Sequence, residues 1–251
     1  VVDFSGDTRL KQVDVHKKWY QIEHTATHLL EKAVYGLPEI NRDSIKGADI
    51  IANPGCYATC NILGLAPLAA NNLLTDQTVI CDSKSGISGA GKHPAVPFHL
   101  PEAVSNFFAY KIGCHKHTPE MELVLSEMSG KCINILFTPQ VVPVSRGILS
   151  TIYCSVDSDS EDTLYQVFTD FYKDEPFVRI MDRGKLPAIS TIRASNFCDI
   201  GIRFDERTGK LVVVSALDNL CKGASTQAIQ NMNILLGFPE TSGLLTPPVH
   251  P

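Results

Sequence analysis

Three segments of the chain carry side chains that could do chemistry together. The first is "ANPGCYAT", Ala52 to Thr59, where Cys56 follows a Pro-Gly turn and leads an apolar run. If a helix starts there, unpaired backbone N–H groups and the positive end of the helix dipole surround the sulfur. Such a place favours a thiolate and predicts a pKa below the free value of about 8.5. The same N–H groups could hold a developing oxyanion. The stretch alone leaves open the alternative of a buried, inert cysteine. The second segment, "GCHKHTPE", supplies His115, His117 and Glu120. If extended, it sends the two imidazoles to opposite faces, one toward Cys56 as a base and the other toward substrate or solvent. The third is "SKSGISGAGK", Ser83 to Lys92, a glycine- and serine-rich loop after a strand. Its backbone N–H groups could cradle a phosphate. It has neither a Walker A nor a G-x-G-x-x-G spacing, and a surface loop is the plainer reading.

The elements that must position these groups alternate along the chain. "VVDFS" reads as a strand, and "ADIIANPG" as a short apolar run closed by a breaker. From Cys56, apolar residues recur at helical spacing through Ile62, Leu63, Ala66, Ala69, Ala70 and Leu73, with Pro67 expected to weaken or kink the helix. A strand runs into the Ser83 loop. Two β-branched stretches between 133 and 156 are interrupted by Pro139 and Pro143. Ser160 caps a helix bearing Leu164, Val167, Phe168 and Phe171. Residues 198–219 form a hairpin turning at "DERTG". Last comes a helix ending at Gly237, with Ala224, Ala228, Met232 and Leu235 on one apolar face that should pack near Val1 to Phe4. The mixture fits an α/β or α+β enzyme.

Bulk composition narrows the class. The 251 residues are 44% hydrophobic and 20% charged, with a formal net charge of −5. That mild acidity gives no reason to expect nucleic acid or an anionic membrane as a partner, and no apolar run reaches the ~18 residues of a membrane span. The 8 cysteines are spread through a chain rich enough in apolar residues to build its own core, and no C-x2-C pair occurs. They read as reduced thiols of a cytoplasmic protein rather than a disulfide framework.

Taken together, "VDFSGDTRL", "AVYGLPEINR", "ANPGCYAT", "DSKSGISGAG", "HKHTPE", "PVSRGIL", "LDNLCKGASTQAIQNMN" and "LGFPETSGL" resemble the N-acetyl-γ-glutamyl-phosphate reductase family, in family order and over nearly the whole chain. The resemblance implies an architecture similar to aspartate-semialdehyde and glyceraldehyde-3-phosphate dehydrogenases. That is an α/β protein with a Rossmann dinucleotide-binding part and an α+β catalytic and oligomerisation domain built on a mixed sheet. It divides this chain into 1–56, the end of the dinucleotide-binding domain, 57–217, the catalytic domain, and 218–251, a helix returning to the first. It makes Cys56 the nucleophile and His117 the general acid/base. It places Arg9, His115, Glu120 and Arg146 at the substrate, and Ser85, Gly86, Ser88, Gly89 and Asn219 at NADP. The reaction implied is NADPH-dependent reduction of an acyl phosphate to N-acetylglutamate semialdehyde through a cysteine thioester, in arginine biosynthesis, by a homodimer or homotetramer.

The resemblance has one gap. The family opens with a strand and a glycine-rich turn for the cofactor pyrophosphate, which this sequence does not show before Val1. The natural N-terminus is therefore expected upstream, and the chain as given is expected to bind NADPH weakly and to associate through an exposed sheet edge. Two rival readings stand beside it. One is a non-catalytic or regulatory domain derived from an enzyme. The other rests on "EHTATHLLEKA", where His24 and His28 on one helix face resemble the zinc-binding H-x3-H of alanyl-tRNA editing domains, though no C-x3-H partner occurs.

Overall fold

A computed structural model describes residues 1–91, 96–158 and 160–249. The opening strand is short, β1 (Val2–Asp3), and is followed by α1 (Val13–Tyr20). Then come β2 (Ala33–Tyr35), α2 (Pro38–Ile45) and β3 (Ile50–Ala52). These three strands make a parallel sheet in the order β1-β3-β2. Parallel strands need crossovers, and α1 and α2 lie in the two connections.

Directly after β3 begins α3 (Cys56–Ala70), buried on every side from Tyr57 to Ala69. Pro67 sits inside this helix without ending it. A proline has no N–H, so the carbonyl of Leu63, four residues earlier, loses its helical donor. The hydroxyl of Tyr172 supplies the replacement, donating to the Leu63 oxygen at 2.6 Å.

The rest of the chain builds the larger layer. It comprises β4 (Thr78–Gly86), the single turn α4 (Leu100–Ala103), β5 (Phe108–Ala109), α5 (Thr118–Ser129), β6 (Asn134–Val142) and β7 (Ile148–Ser155). It continues with α6 (Glu161–Tyr172), β8 (Val178–Ile180), β9 (Cys198–Asp205), β10 (Lys210–Leu217) and α7 (Thr226–Leu235). The strands form one mixed sheet in the order β5-β6-β4-β7-β10-β9-β8. β4 runs parallel to β6 and antiparallel to β7. Side chains alternate in burial along β4, β6 and β7, so one face packs on α3, α5 and α6. The opposite face carries a row of apolar side chains in direct register, Leu136, Ile80 and Tyr153, between 41% and 48% exposed.

Several expected elements are relocated. Ser83 to Gly86 belongs to β4 rather than to a loop, Ile87–Ala90 is a short 3-10 turn, and Lys92 lies outside the described residues. Pro139 does not interrupt a strand but sits within β6. Its carbonyl accepts the Tyr110 N–H on the β5 side, so its missing donor faces that edge, where β5 is two residues long. Ser160 does cap α6, accepting the Thr163 N–H at 3.3 Å. The C-terminal helix packs as expected, with Ile234 against Ile45 and Ile51 and close to Val2. Its buried face is mostly polar, however: Gln227, Gln230, Asn231 and Asn233 are enclosed while Met232 is exposed.

The Tyr172 hydroxyl should therefore be worth more than an ordinary tyrosine contact. Tyr172→Phe is expected to lower unfolding free energy by about 1–2 kcal/mol, because the Leu63 carbonyl is left buried and unpaired. In a Pro67→Ala background, where an N–H can reach that carbonyl, the same substitution should cost less. A urea-denaturation double-mutant cycle checks this, and equal costs in both backgrounds would refute the substitute-donor account.

Candidate active site

Cys56 is the first residue of α3, and the sequence around it explains how it gets there. β3 ends at Ala52, Pro54 breaks the strand, and Gly55 takes the N-cap position in extended conformation, φ −73° and ψ 149°. No side chain caps this helix, so the first N–H groups are free for the sulfur, and those of Cys56 and Tyr57 favour its anion. Two glycines allow the surroundings to close in. A β-carbon on Gly55 would lie 2.2 Å from Nε2 of His117. A β-carbon on Gly223 would lie 2.8 Å from the Cβ of Cys56. His117 comes from the start of α5, and Gly223 from the turn 221–225 that precedes α7, so distant segments converge on the Gly55–Cys56 turn.

The two histidines do not point to opposite faces. Residues 111–118 form a turn leading into α5 rather than an extended run, with Cys114 N–H donating to Lys111 and Thr118 N–H to His115. The imidazoles end up side by side, ring centroids 4.7 Å apart. Nδ1 of His115 accepts the backbone N–H of His117 at 3.1 Å. In the neutral ring the proton must then sit on Nε2. His115 itself is wedged edge-on among Tyr57, Tyr110 and Phe137.

Protonation states run against the sequence expectation. Burial pushes the Cys56 thiol up to about 11, and the Tyr57 N–H and the charge of Arg9 only partly oppose it. Burial, then Arg9, brings His117 down to about 3. Burial, then His117 and Lys111, brings His115 down to about 3. Without substrate the site holds a thiol and two neutral imidazoles, not a preformed thiolate. The helix terminus is present, and desolvation outweighs it.

Other residues singled out in the sequence are also gathered here, with different partners from those expected. Arg9 directs three of its five N–H donors to the protein: Nε to the Asn53 carbonyl at 2.8 Å, Nη2 to the Phe4 carbonyl at 3.2 Å, and Nη1 to Glu120 at 3.5 Å. Glu120 is enclosed and likewise bonded to protein groups. Arg146 differs. It is half-exposed, with Nη1 3.8 Å from Asp218 and 4.0 Å from the Cys221 sulfur. Ser85, Gly86, Ser88, Gly89 and Asn219 converge on one spot. Asn219 accepts the Gly147 N–H at 2.8 Å and donates to the Ser88 hydroxyl at 3.1 Å. Its second amide hydrogen has no protein acceptor among the described residues, which fits a carboxamide ligand of the nicotinamide kind. Beside this loop a cavity of about 210 Å³ is lined by Tyr57, Tyr110, His115 and Ser85.

His24 and His28 do not share a helix face. His24 sits in a loop, where Nδ1 accepts the Ala26 N–H, and His28 lies in the 3-10 turn Thr27–Leu29. No group of three metal-ligating side chains occurs among the described residues.

Residues missed in the sequence are mainly polar and buried. Tyr35 ends β2, Asn53 directly follows β3, and Asn53 donates to the Ala224 carbonyl at 3.1 Å. Asp218 turns the chain into 221–225, accepting N–H groups from Leu220 and Cys221. Lys222 is fully enclosed, with Nζ 2.5 Å from Glu39 and 2.7 Å from Gln230. The signal lay in "DNLCKGASTQAIQNMN", whose polar residues Gln227, Gln230, Asn231 and Asn233 are buried in α7.

A family described as the semialdehyde dehydrogenase dimerisation domain matches residues 56–219. Along its whole length the chain is 49% identical to N-acetyl-gamma-glutamyl-phosphate reductase of Pelotomaculum thermopropionicum and 50% identical to that of Geobacter metallireducens, spanning 73% of each. Among solved structures it resembles aspartate semialdehyde dehydrogenase II of Vibrio cholerae, with TM-score 0.67 at 18% identity over 90% of this chain and 77% of that one. The enzyme of Francisella tularensis gives 0.66 at 15% identity, over 84% and 72%. At those identities the likeness speaks for the fold, an α/β architecture with a mixed sheet.

Brief iodoacetamide treatment near neutral pH should label the exposed Cys114 and Cys132 before Cys56. Because the thiolate is the reactive form, the Cys56 rate should climb about tenfold per pH unit up to its pKa of about 11. Mass-spectrometric mapping that finds Cys56 fastest at neutral pH would show that the thiolate is preformed after all.

Proposed function

The chain belongs to the N-acetyl-γ-glutamyl-phosphate reductase family, and from that premise we propose a thioester route for its reaction. The reaction is reductive dephosphorylation of N-acetyl-γ-glutamyl phosphate to N-acetylglutamate 5-semialdehyde, a step of arginine biosynthesis, with NADPH as cofactor. The observation that carries this reading is the packing of the His117 ring against Gly55, the residue before Cys56, and of Gly223 against the Cβ of Cys56, each at a spacing only glycine permits.

Cys56 sulfur attacks the acyl carbonyl carbon while its proton passes to Nε2 of His117. The carbon–oxygen bond to phosphate breaks, and phosphate leaves with the electron pair and takes that proton. A thioester on Cys56 remains. When bound, the nicotinamide cofactor supplies the hydride that reduces it. The N–H groups of Cys56 and Tyr57 then face the oxygen on which charge collects. Collapse breaks the carbon–sulfur bond, releases the aldehyde and returns a thiolate, which His117 reprotonates with a proton from solvent. Covalent catalysis thus divides one hard substitution into two easier steps.

The other residues take graded roles. Arg146 keeps an open guanidinium for an anionic group of the substrate. His115 acts by holding His117. Ser85, Gly86, Ser88, Gly89 and Asn219 would hold the cofactor. The chain divides at 1–56, 57–217 and 218–251, a division supported by the extent of the family match and by the packing of α7 on the small sheet. The exposed row Leu136, Ile80 and Tyr153 is the face through which a dimer would form, in keeping with the name of the matched family. All eight cysteines are free, which suits a reducing cytoplasm. No helix among the described residues is long and apolar enough to cross a membrane.

Assayed with N-acetylglutamate semialdehyde and phosphate in the reverse direction, Cys56→Ser is expected to abolish reductase activity. His117→Asn should reduce it by about 10²–10⁴-fold, the usual range for loss of a general acid/base. Full activity in Cys56→Ser would sink the thioester route. A separate measurement addresses assembly: Ile80→Lys together with Leu136→Lys should shift the protein toward monomer in light scattering, and an unchanged mass would move the interface elsewhere.

A further inference from the structure

Glu120 stands in the first turn of α5, and its side chain is 1% exposed. A carboxylate this enclosed must find its partners inside the protein. Oε1 accepts the backbone N–H of Gly55 at 2.8 Å and the hydroxyl of Tyr35 at 2.7 Å. Oε2 faces Nη1 of Arg9 at 3.5 Å. The partners come from three different segments: the stretch after β1, the end of β2, and the turn before α3.

The Gly55 peptide is the hinge on which the nucleophile hangs. Its carbonyl accepts the Thr59 N–H at 2.8 Å and the Thr59 hydroxyl at 3.0 Å, the opening bonds of α3. Its N–H is held by Glu120. Gly55 is therefore fixed on both sides, one bond fixing the helix and the other fixing how the helix meets the small sheet. Tyr35 is itself anchored, paired with Ala52 across β2 and β3 and accepting the Asn41 amide through its carbonyl at 3.0 Å.

We propose that Tyr35 and Glu120 are positioning residues for the reaction at Cys56: the Tyr35 hydroxyl fixes the Glu120 carboxylate, which fixes the Gly55 peptide and so the direction in which Cys56 presents its sulfur. The inference rests on Cys56 being the nucleophile. It removes Glu120 from the substrate-binding set and gives the small sheet a hold on the chemistry through two hydrogen bonds. It also withdraws the Gly55 N–H from the free donors at the helix terminus, leaving those of Cys56 and Tyr57.

Tyr35→Phe, Glu120→Gln and, as a control, Cys56→Ser in the full-length protein test it. Tyr35→Phe keeps the ring and loses only the hydroxyl. It should lower kcat about tenfold with little change in KM, the signature of a misaimed reacting group rather than lost binding. Glu120→Gln should move two readouts in opposite directions. Turnover should fall. Alkylation of Cys56 at neutral pH should become faster, because the Glu120 charge adds to the burial that raises the thiol pKa while the charge of Arg9 opposes it. Tyr57 and Tyr110 also face Cys56 and remain neutral in this range; His117, packed against the neighbouring Gly55, is neutral there too. The enclosed Cys60 and Cys81 report general loosening and should stay unlabelled. Unchanged kcat in Tyr35→Phe overturns the proposal. So does a Glu120→Gln protein in which Cys60 and Cys81 label together with Cys56, since that is a merely structural loss. If Cys56→Ser retains activity, the thioester reading fails first. If Cys56→Ser is dead and Tyr35→Phe is not, only the positioning role falls.

Discussion

A buried carboxylate with no route to water forces its neighbours into place, and Glu120 does this at the centre of the molecule. Its charge would be very costly to enclose alone. It is tolerated because Arg9, Tyr35 and Gly55 all converge on it. Arg9 can reach it only if the loop after β1 folds back over Asn53, whose carbonyl takes the Arg9 Nε–H. Tyr35 can reach it only if β2 lies beside β3 in the observed register. The small parallel sheet and the α3–α5 pair are thus joined at the residue before Cys56.

A second enclosed ion pair closes the other side. Lys222 and Glu39 are both fully buried, and Lys222 also donates to Gln230, which in turn reaches Glu240. Arg42 extends the network, bonding Glu240 and Glu175. Replacing such a pair by apolar residues is often neutral for stability, so its presence is weak grounds for a stability role. Its location is more informative. Lys222 adjoins Gly223, and the turn 221–225 has hydrogen bonding of the i to i+5 kind, with Ser225 N–H donating to Leu220. Turns of that kind recur at functional sites. Here the ion pair pins a turn whose glycine touches Cys56.

What the sequence made legible divides along the same line. The helix at Cys56, the cap at Ser160, the hairpin at 198–217 and the placement of α7 all follow from local rules: a breaker followed by helical periodicity, a serine before an apolar face, alternation on either side of a turn. Pro139 within β6 and Pro67 within α3 escaped those rules because tertiary partners make up for the missing donor, the short β5 edge in one case and Tyr172 in the other. The opposed-face reading of His115 and His117 failed because the segment turns into α5, and period-two alternation holds only for extended chain. The polar face of α7 was illegible for a different reason. Gln230 and Asn231 are buried because Glu39, Lys222, Gly36 and Asn53 wait there with complementary groups, and no pattern within the helix announces partners so distant in sequence.

The lowered thiol pKa expected at a helix terminus failed most instructively. Helix dipole and N–H groups are present at Cys56, but the packing that sets His117 against Gly55 and Gly223 against the Cβ of Cys56 also strips water from the sulfur. One cause thus moves both partners away from the ion pair, raising the thiol and lowering the imidazole. On the proposed reaction this makes proton transfer depend on substrate. An acyl phosphate brings negative charge beside His117, where the charge of Arg9 had disfavoured an imidazolium. Anionic charge there raises the basicity of the ring. It cannot by itself favour the thiolate, so the sulfur is best deprotonated as its bond to the carbonyl carbon forms, when its charge passes to an oxygen facing the N–H groups of Cys56 and Tyr57. A site built this way keeps its cysteine protonated and slow to oxidise between turnovers, since oxidation follows thiolate character. The same desolvation that suppresses the resting nucleophile strengthens every hydrogen bond to the charge that develops during attack.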